Sequence, residues 1–336
     1  MPSRAGIGLS ERRGQGGTRG KRVTVRAPAR LHLGFLDLEG GLGRRFGSLG
    51  LTVEGLETQV HVERAPAFAV EAETEGDRAQ AMLERLAGHW DLPPLRLGID
   101  RTIPTHAGLG SGTQLALALG TALARLTGRS ATSREIAAFL GRGARSGIGI
   151  GAFDQGGFIL DGGRGPDGMP PPVVARLEFP DDWRILLIFD LEHEGLHGSG
   201  EDRAFRDLPP YSTELAGRLC RLVVMQLLPG LATADLAAVG PAIGEIQREV
   251  GDYFAPAQNG RFVSPAVTEV LAWLEQRGIA GVGQSSWGPT GFALLPDAAA
   301  AAALCREAED WFGRRHERLR FMVTRGRNRG ADIQLG

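Results

Sequence analysis

Apolar and polar side chains alternate through the first third of the chain. From Val23, VTVRA and then LTVEGLETQVHVERA read as strands, with the alternation clearest across Val60 and Val62. Residues 78–92 predict a short helix, and Leu95, Leu97 and Ile99, interleaved with Arg96 and Asp100, predict another half-buried strand. The period then changes. Leu115, Leu119, Leu123 and Leu126 recur at helical spacing up to Gly128, and residues 133–140 open a second helix with Glu135 in its first turn. GGFILDGG, WRILLIFDL and residues 292–295 and 318–323 predict strands, while 212–250, 265–277 and 298–315 predict helices. Strands and helices mix without a regular βαβ repeat, which predicts the α+β class. The Gly- and Pro-rich stretch 162–172 predicts a junction between an N-terminal domain, 21–170, and a C-terminal domain, 171–336. Residues 1–20, rich in Gly and Arg and without a secretory apolar region, are expected to form a disordered leader.

Composition narrows the chemistry. The formal charge is −1, which gives no reason to expect a nucleic-acid or membrane partner. No apolar run approaches the ~20 residues of a membrane span. Cys220 and Cys305 are too few for a disulfide framework or a cysteine-rich metal site, so reduced thiols in the cytoplasm are expected. Lys21 is the only lysine in the sequence. A pyridoxal-phosphate Schiff base in the core and the lysine of a P-loop are therefore excluded.

The loop at 103–114, IPTHAGLGSGTQ, lies between a predicted strand and a predicted helix. Glycines allow φ > 0 and close approach of backbone to an anion, and the helix N-terminus presents free amides. Gly108, Gly110, Ser111, Gly112 and Thr113 are thus candidate phosphate ligands, with Ser111 also a candidate magnesium ligand; the competing reading is a plain turn with a Ser/Thr cap. A second cluster, GRGARSGIGIGAFDQGGFILDGG at 141–163, offers Arg142 and Arg145 for phosphate or carboxylate oxygens. In the same cluster Asp154 and Asp161 could hold magnesium or stabilise a developing cation, although Asp161 before Gly162 also suits a turn. HEGLH at 193–197 matches the H-E-x-x-H zinc pattern, but it follows a strand, contains Gly195 and runs into GSG, so a polar loop is expected there. Residues 27–50 bring Arg30, His32, Asp37, Arg44 and Arg45 among glycines, and GVGQSSWGPTGF at 281–292 places Trp287 just before a strand.

APARLHLGF, IPTHAGLGSGTQ and GVGQSSWGPTGF together resemble the three motifs of the GHMP small-molecule kinase superfamily. The fuller set, RLHLGFLDLEGGLGRRFGSLG, GLGSGTQ, RSGIGIGAFDQGGFILDGG and GQSSWGPTG, resembles the β-ribofuranosylaminobenzene 5′-phosphate synthase branch, from about Val23 to the end. The resemblance implies a two-domain GHMP-kinase-like fold: a ribosomal-protein-S5-like N-terminal domain and a ferredoxin-like C-terminal domain. It also implies phosphoribosyl pyrophosphate in place of ATP, a para-substituted benzoate acceptor (4-amino or 4-hydroxy), loss of carbon dioxide and pyrophosphate, a role in methanopterin-type cofactor synthesis, magnesium, and a homodimer. The glycine loop departs from the kinases' GLGSS, since Ser111 is followed by Gly112 and Thr113, and the third motif carries Gln284, Ser285, Ser286 and Trp287. On this reading the loop residues hold pyrophosphate with magnesium. Asp154 or Asp37 binds the metal or faces the ribosyl cation, and Arg142 and Arg145 join the phosphate site. Arg30, Arg44, Gln284, Ser285 and Trp287 serve the substrates, and His32 is an acid/base or ring-orienting group. The rivals are an ATP-dependent kinase and a non-catalytic binding protein on the same scaffold.

Overall fold

The computed structural model describes residues 22–195 and 199–336. The expected leader, Lys21 and His197 lie outside the described residues. Alternation places β1 (Arg22–Asp37) antiparallel to β2 (Phe46–Arg64), in register from Arg22↔Glu63 to Asp37↔Phe46. Two register shifts, between Pro28 and Arg30 and between His32 and Gly34, bracket Arg30 and His32. Such bulges bend a strand and re-aim its side chains. β3 (Ala69–Ala72), helix α1 (Gly76–Trp90) and β4 (Leu95–Arg101) follow, with β4 pairing to β2.

Then comes α2 (Ser111–Thr127), buried on nearly every face from Gln114 to Ala124. α3 (Ser133–Phe139) starts in a capping box between Thr132 and Glu135. α4 (Ile148–Asp154) leads to β5 (Phe158–Asp161), which pairs with β2 and with β6 (Val173–Leu177). Gly149 is needed in α4 because a Cβ there would lie 2.8 Å from Thr113 Cγ2.

The second half begins with β7 (Arg184–Asp190), α5 (Ser199–Asp207) and α6 (Thr213–Leu222). α6 passes through a π-helical turn, Val223–Leu227, into α7 (Leu228–Ala232). α8 (Leu236–Gln258), α9 (Pro265–Gln276), β8 (Val282–Gln284), β9 (Gly291–Leu295), α10 (Ala298–Phe312), β10 (Leu319–Thr324) and β11 (Asp332–Leu335) complete the order. The composite helical stretch Thr213–Ala232 is long and apolar enough to cross a membrane, contrary to the sequence expectation. Ala216, Leu219, Val223, Leu227 and Leu231 along it are buried in the core shared with β1 and α8.

Two sheets result. The first runs β11-β1-β2-β4-β3, with β5 and β6 continuing from the other end of β2; the second is antiparallel in the order β10-β7-β9-β8. β6, which lies beyond the expected 170/171 junction, belongs to the first sheet. β6 still pairs with β5, and the C-terminal β11 returns to β1. One apolar cluster joins the halves, from Ala29 and Leu31 on β1 through Ile243 and Ile246 on α8 to Phe292 and Leu294 on β9.

Candidate active site

The loop between β4 and α2 is held by backbone contacts with the 285–288 turn between β8 and β9. Gly108 and Gly110 have φ of 80° and 86°, in the region that glycine reaches without strain. A Cβ on Gly108 would lie 2.2 Å from the Ser285 carbonyl oxygen, and one on Gly288 would lie 2.3 Å from the Ala107 carbonyl. Only glycine permits this approach. Ser285 ties the contact together: its hydroxyl donates to the Gly108 carbonyl (2.8 Å) and accepts from the His32 amide (3.0 Å). His106 and Ser286 adopt φ of 55° and 56°, uncommon for residues with side chains and often found where a loop is shaped for function.

These loops border a basic cavity of about 360 Å³, lined by Gly108, Gly110, Ser111, Gly112 and Thr113 together with Arg30, Arg78, Arg142 and Glu201. The first amides of a helix lack i−4 partners, so the start of α2 favours negative charge, although the Thr113 amide already donates to the Gly110 carbonyl (3.0 Å). Arg30 donates to the Gly108 carbonyl (2.5 Å), yet its Nε is buried with no hydrogen-bond partner, as is Nε of Arg142. Burial pushes the Arg30 guanidinium down to about 10, with Glu201 opposing the shift, and burial followed by the charge of Arg78 lowers Arg142. Arg78 is held by Glu75 at 3.0 Å, and Glu201 by Arg145 at 2.8 Å. Guanidinium donors left unpaired in a buried site are costly unless an anion completes them.

A second, narrower cavity adjoins the first. His32, Phe35, Phe254, Phe262 and Trp287 give it an aromatic wall, and Ser286 and Trp287 line both cavities. The rings are locked: Phe254 meets Trp287 at 4.3 Å between centroids and His32 meets Phe35 edge-on at 4.7 Å. His32 is 4% exposed; burial and then the charge of Arg30 push its imidazole down to about 3, so the ring is neutral at pH 7. The two cavities thus meet at Ser286 and Trp287.

The GHMP kinases N terminal domain model matches residues 77–162 and the GHMP kinases C terminal model residues 227–313. β-Ribofuranosylphenol 5′-phosphate synthase of Archaeoglobus fulgidus is 32% identical over 328 residues, spanning 93% of this chain and 100% of that protein. The protein of the same name from Methanothermobacter thermautotrophicus is 30% identical, covering 92% and 98%. The chain belongs to this synthase family, within the GHMP kinases. Solved GHMP structures share its fold at low identity. Homoserine kinase from Cytophaga hutchinsonii gives a TM-score of 0.67 at 18% identity, covering 93% of this chain and 97% of that one. Mevalonate diphosphate decarboxylase from Enterococcus faecalis gives 0.65 at 18%, covering 94% and 99%.

For this synthase-family chain the structure gathers some of the sequence-predicted residues and disperses others. Gly108, Gly110, Ser111, Gly112, Thr113, Arg30 and Arg142 share the basic cavity, and His32, Gln284 and Trp287 line the aromatic one. Ser285 is fully buried and positions the two loops. Gln284 is engaged at both ends, accepting from the Val263 amide (2.6 Å) and donating to the Ser286 carbonyl (2.9 Å).

The acidic candidates move out. Asp154 is exposed at the end of α4, bonded to Ser133 at 2.5 Å, and lines neither cavity. Asp37 caps a turn by accepting from the Glu39 and Gly40 amides, both at 2.9 Å. Asp161 is saturated by the amides of Ser48, Gly147 and Gly163 and the Ser146 hydroxyl. Arg44 clamps the Gly162 and Gly163 carbonyls at 2.6 and 2.7 Å, a fastening role, and Arg145 reaches the basic cavity through Glu201 while lying 4.7 Å over the Phe205 ring.

Residues 191–195 form a bend and coil in which His193 bonds Asp190 (2.7 Å) and the Gly195 amide donates to the His106 carbonyl (3.0 Å). Gly195 thus ties this part of the HEGLH segment to the phosphate loop and lines the basic cavity. Arg78, Glu201, His106 and Phe254 are the site residues that sequence reading missed.

Proposed function

We propose that this chain transfers phosphoribose from phosphoribosyl pyrophosphate to the ring carbon of a para-substituted benzoate that bears the carboxylate, releasing carbon dioxide and pyrophosphate. The observation that carries the reading is the meeting of a buried arginine cavity and an aromatic cavity at Ser286 and Trp287. The name of the relatives, ribofuranosylphenol synthase, favours 4-hydroxybenzoate as acceptor. The product would be the phenol C-riboside phosphate from which a methanopterin-type cofactor is built, in the cytoplasm.

In the first step the ribose C1′–O bond to pyrophosphate breaks and its electron pair leaves with pyrophosphate. Ring electrons form the new carbon–carbon bond, and the resulting ring cation is stabilised by the para oxygen. The bond to the carboxylate then breaks, its pair restores the aromatic ring, and carbon dioxide departs. Arg30, Arg78 and Arg142 would hold the phosphates and stabilise the leaving group, a task of orientation and fixed charge. Glu201, the carboxylate lining this cavity, would face the cationic ribosyl carbon. Ser111 and Glu201 suit a magnesium ion carried in on pyrophosphate, because magnesium commonly takes one or two protein ligands beside substrate phosphates. That ion would supply neutralisation of the leaving group's charge.

The test is to incubate the protein with magnesium, phosphoribosyl pyrophosphate and 4-hydroxybenzoate or 4-aminobenzoate, following carbon dioxide, pyrophosphate and the coupled product. Equal release of all three is expected. ATP consumption without coupled product would overturn the reading in favour of a kinase.

A further inference from the structure

The polar lining of the aromatic cavity is mostly occupied. Gln247 donates to the Leu33 carbonyl (2.7 Å) and accepts from the Gln284 amide (2.8 Å). Gln284 is bonded at both ends, and the Arg261 guanidinium meets both oxygens of Asp252 at 2.7 and 2.9 Å. Gln258 donates to the Arg261 carbonyl (2.6 Å). His32 is different: among the described residues lining this cavity, its Nε2 is the buried side-chain atom without a hydrogen-bond partner. Its backbone is fixed on both sides, the amide by Ser285 and the carbonyl by the Ser286 amide (3.0 Å), and its ring is held edge-on by Phe35. A buried polar atom that is left unsatisfied in such a rigid frame is costly unless a ligand completes it.

The frame also selects the ligand atom. In the neutral ring one nitrogen carries the proton, and the tautomer protonated on Nδ1 leaves the unpartnered Nε2 as a lone-pair acceptor. An acceptor repels a carboxylate and suits an O–H or N–H donor. On a para-substituted benzoate that donor is the para group.

We infer that Nε2 of His32 accepts the hydrogen bond of the aryl acceptor's para hydroxyl and takes its proton as the carbon–carbon bond forms. This rests on the proposed function above. The proton moves from the para oxygen to Nε2 as the ring becomes a neutral dienone. When the carbon–carboxylate bond breaks and the ring regains aromaticity, the imidazolium returns the proton to the para oxygen, so the histidine ends as it began. The O-protonated ring cation is a far stronger acid than imidazolium, so a weakly basic histidine suffices. Its low basicity favours the return.

The test separates acceptor recognition from turnover. With magnesium and pyrophosphate filling the donor cavity, 4-hydroxybenzoate and the near-isosteric 4-fluorobenzoate are titrated calorimetrically into wild type, His32→Leu and His32→Gln. Wild type is expected to prefer the hydroxyl compound at least tenfold. His32→Leu should lose that preference to within about twofold (below ~0.4 kcal/mol), while His32→Gln, whose amide oxygen still accepts, should keep part of it. Unchanged pyrophosphate affinity verifies that each variant is folded, and His32→Gln serves alone if His32→Leu does not fold. A hydroxyl preference retained in full by both variants, or absent from a wild type that binds both benzoates, would overturn the role of His32 and leave the proposed reaction standing. A wild type that binds neither benzoate would overturn both.

Discussion

Folding sets Glu201, and not Asp154, on the basic cavity. Asp154 stands in the glycine-rich segment that sequence reading favours, yet it bonds Ser133 at the surface, whereas Glu201, from a polar and unremarkable helix, lines the basic cavity beside Arg145. Glu201→Gln is expected to lower kcat at least tenfold, or ~1.4 kcal/mol of transition-state stabilisation, with Asp154→Asn near wild type. Steady-state kinetics with varied phosphoribosyl pyrophosphate checks both, and the reverse pattern would return the carboxylate role to Asp154.

His32 carries a stability prediction of its own. Its folded-state pKa is depressed to about 3, below that of the unfolded chain. As pH falls, the unfolded state takes up the proton first, so the stability held above pH 6.5 is lost progressively down to about pH 3. By pH 4.5 the loss from this group should reach roughly 2–3 kcal/mol. Urea melts at pH 7 and 4.5 should give a smaller acid loss in His32→Gln than in wild type.

At the scale of elements, what the sequence revealed depended on periodicity. The alternating strands β1, β2 and β4 and the leucine-spaced helix α2 were readable because their patterns follow from burial on one face or on every face. α4 was not, since its IGIGAFD sequence is glycine-rich for packing against Thr113 and Ile159 and has no helical signature. β6 and β11 are short, and their places come from partners distant in the chain. The glycine loop was readable as an anion site, but its backing was not: nothing local in GQSSWGPTG says that Gly288 abuts Ala107.

That contact is the element-scale test. Gly288→Ala would place a methyl 2.3 Å from the Ala107 carbonyl and the Gly108 amide, atoms of the main chain that cannot turn aside. Loss of pyrophosphate binding together with about 2 kcal/mol or more of stability is expected, read by calorimetric titration and denaturant unfolding. A variant with full stability and full affinity would show that the two loops yield more readily than their spacing implies.

For the molecule as a whole, family motifs predicted two domains, but the structure joins the two sheets through one apolar cluster and closes the first sheet with the last strand of the chain. Differential scanning calorimetry should therefore record one unfolding transition, raised in temperature by pyrophosphate with magnesium. Two transitions, of which pyrophosphate shifts one, would mean that the sheets unfold independently. Glu201 comes from α5 in the second half, Arg30 from β1, Arg78 from α1 and Arg142 from the α3–α4 connection. No local motif could announce such an assembly, because its members meet only when both halves have packed.

The paired glycines at Gly108 and Gly288 also divide the site by what it is made from. On the donor side the two loops meet main chain against main chain, a contact that point substitution can break but hardly reshape. The acceptor side is faced with interchangeable side chains, Phe254 and Phe262 among them, on a helix and the loop that follows it. A designer or natural selection can therefore re-cut the acceptor pocket for other aromatic nucleophiles while the phosphate grip remains as it is.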